Sequence, residues 1–251
     1  MTMKIDLNCD LGEGTGNDAA LMPLISSANI ACGAHAGDES TMRATVRLAM
    51  RHGVAIGAHP GYHDRAHFGR IELLLDAPET EELVASQIRL MLEICRELGT
   101  RMNHVKPHGA LYNQACRDRP VADAVARAIA GVDPGSLLFA PAGSALWDAA
   151  HTAGITPVAE IFADRTYQRD GRLTPRLRAD AVLADPTAAA LQALRAVRSG
   201  RIVATDGGEI VVSAQTVCVH GDAPHAVAVL AAVRRALMVE GTVIAAPARP
   251  A

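Results

Sequence analysis

Short apolar runs alternate along the chain with longer segments in which apolar residues recur at helical spacing. Runs of this length, bounded by glycine, proline or polar clusters, are typical of strands buried inside a parallel sheet. We interpret eight of them as strands, namely residues 4–8, 28–31, 54–58, 103–105, 137–140, 156–161, 202–205 and 216–219.

The segments between these runs are predicted to be amphipathic helices. In the clearest one, a single apolar stripe with spacings of three and four is formed by Val84, Ile88, Met91, Cys95 and Leu98. Gly99 then ends the helix. Asp38 or Ser40 caps another helix, which ends at Gly53. Three further helices are predicted for residues 143–153, 186–199 and 224–240.

Strands that alternate with helices indicate βαβ units and a parallel sheet, closed either as a barrel or left open and doubly wound. Eight strands in 251 residues fit a (β/α) barrel. The first strand lacks the glycine-rich turn of a dinucleotide-binding open sheet, which favours the barrel. We therefore expect one α/β barrel domain over residues 1–251, with a loose tail rich in alanine and proline at residues 245–251.

Composition narrows the class of protein. Hydrophobic residues make up 49% of the chain, so a full core needs no disulfides or structural metals, and the five cysteines form no C-x-x-C pair. A net charge of −3 without a basic stripe argues against nucleic acid as a partner. The sequence shows no apolar leader and no stretch of membrane-spanning length, so we expect a cytoplasmic protein with no membrane partner.

Polar side chains follow the ends of successive predicted strands. Asp10 comes after the first strand, His35 after the second, His59 after the third and Lys106 after the fourth. Because the carboxyl ends of parallel strands meet at one rim, we expect these groups to share a site. Lys106 is one of only two lysines in the chain, so a random surface position is a poor explanation for it.

These residue types fit several kinds of chemistry. Histidines exchange protons near neutral pH, and the Lys106 ammonium can neutralise a phosphoryl group or an oxyanion. Asp10 and Glu13 can act as bases or hold Mg²⁺. The backbone amides of the glycine-rich turn at residues 12–16 can bind an anion, although the chain has no Walker-type phosphate loop.

Some of the same residues have simpler explanations. Asp10, His35 and His59 also resemble the ligand set of a divalent-metal hydrolase, but this is a weak metal signal because the three lie far apart in sequence. Asp38 can serve as a helix cap alone. His104 fits a hydrogen-bonded histidine of the core better than a ligand.

Long motifs, in order along the chain, resemble the LamB/YcsF family. They are residues 6–14, 27–33, 35–38, 57–62, 68–70 and 105–113, followed late in the chain by Glu160, residues 162–165, Tyr167, residues 170–171 and residues 218–222. The resemblance runs from residue 4 to about residue 240. It implies a seven-stranded (β/α) barrel similar to those of the glycoside hydrolase/deacetylase superfamily.

The resemblance also implies an activity, the opening of the lactam 5-oxoproline to L-glutamate coupled to hydrolysis of ATP. It implies that the chain works with 5-oxoprolinase subunits B and C. We expect Mg²⁺ to accompany ATP, and we expect no tightly bound organic cofactor.

The site residues are assigned from these arguments together. The predicted catalytic residues are Asp10, Glu13, His35, His59, Lys106 and His108. The residues predicted to bind the cofactor, ATP, are Asn8, Gly12, Gly14, Asn29, Asp38, Arg70, Tyr112, Asn113, Asp164 and Arg165. Lys106 and His108 are expected to contact the phosphorylated or oxyanionic species.

The chain departs from the family pattern at a few positions. Thr15 and Ala34 stand where an aromatic residue is usual, Ile71 where a basic residue is common, and Asp180 where a glycine is expected. Two other functions remain compatible with the sequence. One is a stand-alone metal-dependent hydrolase or deacetylase, and the other is a non-catalytic subunit that presents 5-oxoproline to its partners.

Overall fold

The computed structural model describes residues 3–250. Its strands are β1 (Lys4–Leu11), β2 (Ser27–Ala31), β3 (Ala55–His59), β4 (Met102–Val105), β5 (Leu137–Ala140), β6 (Thr156–Phe162), β7 (Arg201–Val203), β8 (Glu209–Val211), β9 (Thr216–Val219) and β10 (Val243–Ile244). Its α-helices are α1 (Asp18–Leu21), α2 (Glu39–His52), α3 (Ala77–Glu97), α4 (Gly109–Ala115), α5 (Arg119–Val132), α6 (Ala145–Thr152), α7 (Pro186–Ser199) and α8 (Ala226–Val239).

Seven parallel strands close into a barrel. They follow the order β1-β2-β3-β4-β5-β6-β9, and β9 then pairs with β1 to complete the ring. In the closing register Thr216 lies opposite both Asp6 on β1 and Glu160 on β6. The barrel strands are buried almost throughout, as expected for a sheet enclosed by helices.

The strand count corrects one sequence prediction. The run at residues 202–205 is not a barrel strand, because β7 pairs antiparallel with β8 in a separate hairpin. In this hairpin Ile202 and Ile210 are buried, whereas Val203 and Val211 are exposed. A half-exposed hairpin and a short buried strand both contain apolar residues, and the local pattern did not separate them. The barrel therefore has the seven strands that the family resemblance implied.

The helix boundaries agree well with the predicted caps. Asp38 accepts a hydrogen bond from the amide of Thr41 at the start of α2, and Gly53 ends that helix with a φ of +66°. Helices α4 and α5 lie outside the predicted segments. In α5, Pro120 occupies the first turn, where its missing N–H leaves no hydrogen bond unmade. No helix in the described part of the chain is long and apolar enough to cross a membrane.

The end of the chain is bound to the barrel. Strand β10 extends the sheet beside β1, and the amide of Ala245 donates to the carbonyl of Ile5 at 2.9 Å. Arg249 donates to the carbonyl of Met102 at 2.6 Å and forms an ion pair with Asp133. These contacts differ from the loose tail predicted for residues 245–251, in which Ala251 lies outside the described residues.

A histidine fills the middle of the barrel. Nε2 of His104 lies 2.8 Å from Oδ1 of Asn29, and its ring stacks on Phe139 with centroids 4.1 Å apart. Gly57 makes room for it, because a Cβ at this position would lie 2.1 Å from Nε2. Burial lowers the pKa of His104 to about 3, so this ring is neutral at pH 7.

We predict that His104 makes the protein less stable in mild acid. Its folded-state pKa of about 3 lies below the ordinary 6.5, so unfolding takes up a proton between these values. The free energy of unfolding should therefore fall as the pH drops below 6.5, by up to about 1.4 kcal/mol per pH unit from this group. When urea unfolding is compared at pH 6.5 and 5.0, the free energy of unfolding of His104→Gln should fall by about 2 kcal/mol less than that of the wild type.

The control for this measurement is His151→Gln, at an exposed position on α6, which should keep the wild-type pH dependence. Equal pH dependence of His104→Gln and the wild type would contradict the prediction.

Candidate functional site

The carboxyl ends of the barrel strands form one polar mouth. Asp10 lies near the end of β1 and His59 ends β3, while Lys106 directly follows β4. The loop after β1 supplies Glu13, and the loop after β2 supplies His35. His108, the N-cap residue of α4, completes a set of side chains that meet at this end. The structure thus brings together all six residues predicted to be catalytic.

Lys106 is the central charge of the site and is only 2% exposed. Its Nζ lies 2.7 Å from Oδ1 of Asp10, 3.1 Å from Sγ of Cys218 and 3.5 Å from Oε1 of Glu160. Burial alone would lower the pKa of Lys106, but these three neighbours, with Asp10 first, raise it well above its usual value. The ammonium is therefore charged, and it has three possible acceptors within 3.5 Å.

Glu160 is a site residue that the sequence assignment omitted. Its carboxylate accepts hydrogen bonds from the hydroxyl of Tyr112 at 2.7 Å and from the amide of Asn8 at 3.0 Å, and it lies beside Lys106. The available signal was its position at the end of β6, the same pattern that selected Asp10 and His59. Tyr112, predicted to bind a ligand, holds Glu160 in place.

Asn8 and Asn29 were predicted to contact a ligand, but in the structure their side-chain amides donate hydrogen bonds to other protein groups. Both are fully buried. Nδ2 of Asn8 donates to Glu160 and to Thr216, and Nδ2 of Asn29 donates to Asn8 and to Asp10. With both amide hydrogens of each residue in use, they orient the carboxylates of the site and leave no free donor for a nucleotide.

Two histidines meet beside the Lys106 cluster. Nδ1 of His59 lies 2.6 Å from the carbonyl oxygen of Lys106, and Nε2 of His108 lies 2.8 Å from the carbonyl oxygen of Phe68. The remaining ring nitrogens, Nε2 of His59 and Nδ1 of His108, are 2.9 Å apart. The backbone thereby fixes the orientation of both rings.

Glu13 and His35 complete this second cluster. Oε1 of Glu13 lies 3.4 Å from Nδ1 of His108, 3.5 Å from Nε2 of His35 and 3.9 Å from Nε2 of His59. The His35 ring stacks on His108 with centroids 3.8 Å apart and planes 1° from parallel. One donor atom from each of the four residues lies within 4.8 Å of every other, so together they can hold a metal ion.

Burial controls the charges of this cluster. It raises the pKa of Glu13 well above its usual value, and the nearby Asp10 adds to the effect. Burial lowers the pKa of His35 to about 2 and that of His108 well below its usual range. Burial would also raise the pKa of Asp10, but the positive charges around it, that of Lys106 among them, hold it well below normal. Asp10 is thus the ionised acid of the mouth.

Two glycines allow the rings to pack closely. A Cβ at Gly61 would lie 2.5 Å from Nδ1 of His35. Gly69, with a φ of +64°, would place a Cβ 2.8 Å from Cβ of His35 and 2.9 Å from Cδ2 of His108. Any larger side chain at either position would displace the histidines.

The rim above the clusters carries ion pairs. Asp222 pairs with Arg70 and, at 3.1 Å, with Arg176. Asp164 accepts a hydrogen bond from the amide of His220 at 3.0 Å, and one of its carboxylate oxygens lies 2.9 Å from Nδ1 of that ring. Arg70 and Asp164, both predicted to bind ligand, therefore lie at the mouth. Arg176 was not predicted, because in sequence nothing distinguishes it from Arg172 and Arg178 in the same loop before α7.

Two other predicted binding residues, Arg165 and Asp38, have structural roles. The guanidinium of Arg165 is buried and donates to the carbonyls of Ala181 and Thr174. Asp38 is exposed and caps α2, as its simpler explanation held.

The remaining predicted binding residues are Asn113 and two glycines. Asn113 lies on the exposed face of α4. In the glycine turn, the amide of Gly12 donates to Oδ2 of Asp18 at 2.9 Å, so this amide already has an acceptor. Gly14 has a φ of +77°, a conformation that favours glycine, and a Cβ there would meet no atom within 4 Å.

Known structures resemble this barrel. A solved structure of a lactam utilization protein from Thermus thermophilus matches with a TM-score of 0.91 and 44% identity, over 98% of this chain and 100% of that one. A deacetylase structure determined with its substrate matches with a TM-score of 0.50 and 15% identity, over 97% of this chain and 87% of that one. The second match shows a shared barrel fold alone.

Sequence comparison gives the family. The chain is 49% identical over 249 residues to a protein of Symbiobacterium thermophilum described as the A subunit of 5-oxoprolinase, covering 97% of this chain and 95% of that protein. The model of the LamB/YcsF family matches residues 5–251. The chain therefore belongs to the LamB/YcsF family.

Proposed function

We propose that this chain is the A component of an ATP-dependent 5-oxoprolinase, which opens 5-oxoproline to L-glutamate together with subunits B and C. The description of the Symbiobacterium relative supports this proposal, as does the lactam utilization described for the Thermus protein. The observation that carries it is the buried Lys106 ammonium at the barrel mouth, set between two carboxylates and beside three histidines.

The reaction needs activation because a lactam is a resonance-stabilised amide. In the proposed sequence, the lactam oxygen attacks the γ-phosphorus of ATP and ADP leaves. Water then adds to the activated carbon, and the C–N bond breaks as the nitrogen takes up a proton, which leaves an acyl phosphate. A second water attacks the carbon of this acyl phosphate, and phosphate departs with the former lactam oxygen. The site must therefore stabilise negative charge on oxygen and move protons.

Lys106 is suited to the first of these tasks. Its three N–H groups face Asp10, Glu160 and Cys218, and the thiol is the weakest acceptor of the three. An oxygen of the activated substrate can take the place of Cys218 without leaving either carboxylate unpaired. Such an oxygen would be held by a charged donor in a dry site, where electrostatic stabilisation is strong.

The histidine cluster is suited to the second task. His59 and His108 are held by backbone carbonyls in fixed orientations, each with one ring nitrogen turned into the mouth. A neutral imidazole in this position can accept a proton from the attacking water or bind an ion that activates this water. Asp10 lies beside this ring, with its Oδ2 3.4 Å from Nε2 of His59, and would stabilise the positive charge that His59 gains on taking up a proton.

The rim is better suited to ATP and its Mg²⁺ than the buried mouth. Arg70 is one-third exposed and pairs with Asp222, so its guanidinium can be reached by phosphate oxygens. The amides near Gly14 add donors of the kind that bind anions. Arg165 is buried and donates to two backbone carbonyls, and Asn29 uses both of its amide hydrogens on protein acceptors, so neither residue is part of this proposal. Subunits B and C are proposed to complete the nucleotide site.

The reaction itself can be tested by reconstitution. We expect glutamate release from 5-oxoproline to require ATP and to appear only when subunits B and C are added to this chain. Glutamate and ADP would be measured for this chain alone, with each partner, and with both. Glutamate release without ATP would favour a metal-dependent hydrolase, and absence of any ATP dependence would remove the proposed function.

A second test concerns Lys106. Lys106→Met should lower glutamate release by the reconstituted complex at least about 100-fold, because the charge that stabilises the oxyanion is removed. Lys4→Met is the matched control and should keep wild-type activity. Lys4 is the other lysine, is exposed, and begins β1, whereas the mouth lies at the carboxyl end of that strand.

Removing one partner of a buried charge pair also costs stability, so the folding of Lys106→Met must be checked by circular dichroism. A folded Lys106→Met complex with near-normal turnover would show that the chain only presents substrate to its partners.

A further inference from the structure

The tautomers of two histidines in the mouth are fixed by the backbone. A carbonyl oxygen can only accept a hydrogen bond, so the nitrogen that faces it must carry the hydrogen. Nδ1 of His59 faces the carbonyl of Lys106 at 2.6 Å, and Nε2 of His108 faces the carbonyl of Phe68 at 2.8 Å. In each neutral ring the other nitrogen therefore carries a lone pair and no hydrogen.

These two lone pairs face each other. Nε2 of His59 and Nδ1 of His108 are 2.9 Å apart, which is a hydrogen-bond distance with no hydrogen to share. Oε1 of Glu13 faces the same place, is buried, and has no hydrogen-bond partner among the described residues. Three acceptors thus converge without a donor, an arrangement that is repulsive unless something positive lies between them.

His35 supplies the fourth group. Both of its ring nitrogens are buried without a hydrogen-bond partner among residues 3–250, and its Nε2 lies 3.5 Å from Oε1 of Glu13. For an ion with bonds of about 2.0–2.1 Å, tetrahedral ligand atoms are about 3.3 Å apart. Four of the separations, 2.9, 3.4, 3.5 and 3.9 Å, scatter around that value, and all pairs of ligand atoms lie within 4.8 Å. Because the His35 ring stacks on His108 with planes 1° from parallel, it must turn about its Cβ–Cγ bond to direct a nitrogen at the same ion.

We propose that Glu13, His35, His59 and His108 bind one divalent transition-metal ion at the barrel mouth. Three imidazoles and one carboxylate suit Zn²⁺, Co²⁺ or Fe²⁺, whereas Mg²⁺ prefers oxygen ligands. The ion is therefore different from the Mg²⁺ that accompanies ATP. The carbonyl contacts of His59 and His108 are also the contacts by which proteins orient metal-binding imidazoles.

Asp10, a metal candidate from the sequence, lies beside this site and not in it. Its Oδ1 is held by Lys106 at 2.7 Å and by Asn29 at 2.8 Å, and its Oδ2 is 3.4 Å from Nε2 of His59. Glu13 and His108 take its place as ligands. Asp10 instead balances the charge of Lys106, which keeps that ammonium from repelling the ion.

The competing explanation is an extra proton in place of the ion. A proton on Glu13 or between His59 and His108 relieves one contact, but it leaves the other acceptors of the cluster facing each other. A single ion of charge two relieves all of them. If the proposed function also holds, the ion would lie next to the reacting lactam, where a bound water is more easily deprotonated.

The proposal can be tested on the full chain, purified without a histidine tag, stripped with chelator and titrated with Co²⁺. We expect one Co²⁺ per chain, with visible absorption bands of a low-symmetry site and imidazole scattering in the X-ray absorption spectrum. Glu13→Gln and His35→Asn should each weaken Co²⁺ binding at least about 100-fold. The matched controls Glu93→Gln and His67→Asn, at exposed positions, should bind Co²⁺ like the wild type.

Circular dichroism with chelator present shows whether each variant is folded, and the wild-type spectrum remains informative if one is not. Folded, stripped wild type that binds neither Co²⁺ nor Zn²⁺ would overturn the proposal. Equal binding by all four variants would do the same, because the ion would then lie elsewhere. These measurements use no ATP, lactam or partner protein, so their failure is distinct from failure of the proposed function.

Discussion

The ion pair between Lys106 and Asp10 is the constraint on which the rest of the mouth depends. An ammonium taken out of water is strongly destabilised unless opposite charges and hydrogen-bond acceptors surround it. Asp10 and Glu160 supply the charges, and Asn8, Asn29 and Tyr112 use their hydrogens to hold those carboxylates in place. The ring of His104 fills the space beneath these residues, and Gly57 leaves room for it because it has no side chain. The polar groups inside the barrel are thus arranged around one cation.

The mouth contains two adjacent clusters of side chains, one around Lys106 and one around Glu13. On one side Lys106 lies among acids, and on the other side histidines gather around Glu13. His59 belongs to both, since its Nδ1 faces the carbonyl of Lys106 and its Nε2 faces His108. A change of charge on either side must be felt on the other through this ring, because little water separates them. Stabilisation of an anion and transfer of a proton are thereby placed within one small volume.

The sequence predicted what depends on local pattern and on strand direction. Strand ends could be read from apolar runs, and parallel strands bring their ends together, so the convergence of His35, His59 and Lys106 followed from the chain alone. What each polar group contacts could not be predicted. Arg165 donates to two backbone carbonyls of the loop that follows β6, and Glu160 depends on Asn8, 152 positions away, and on Tyr112, 48 positions away. The segment around Ile202 was predicted to be a barrel strand but belongs to a hairpin. In a run of three residues, a strand buried on one face has the same pattern as a strand buried on both faces.

The anchored end of the chain has a practical consequence. Ala245, Pro247 and Arg249 contact Ile5, Asn103 and Met102, which lie where their strands begin. Pro250 is exposed at this base, and Lys106 lies at the other end of the barrel. A dye or a solid support coupled near Pro250 would therefore leave the mouth free to receive small molecules or another protein. The same attachment would strain the strand starts if it pulled Arg249 away from Asp133.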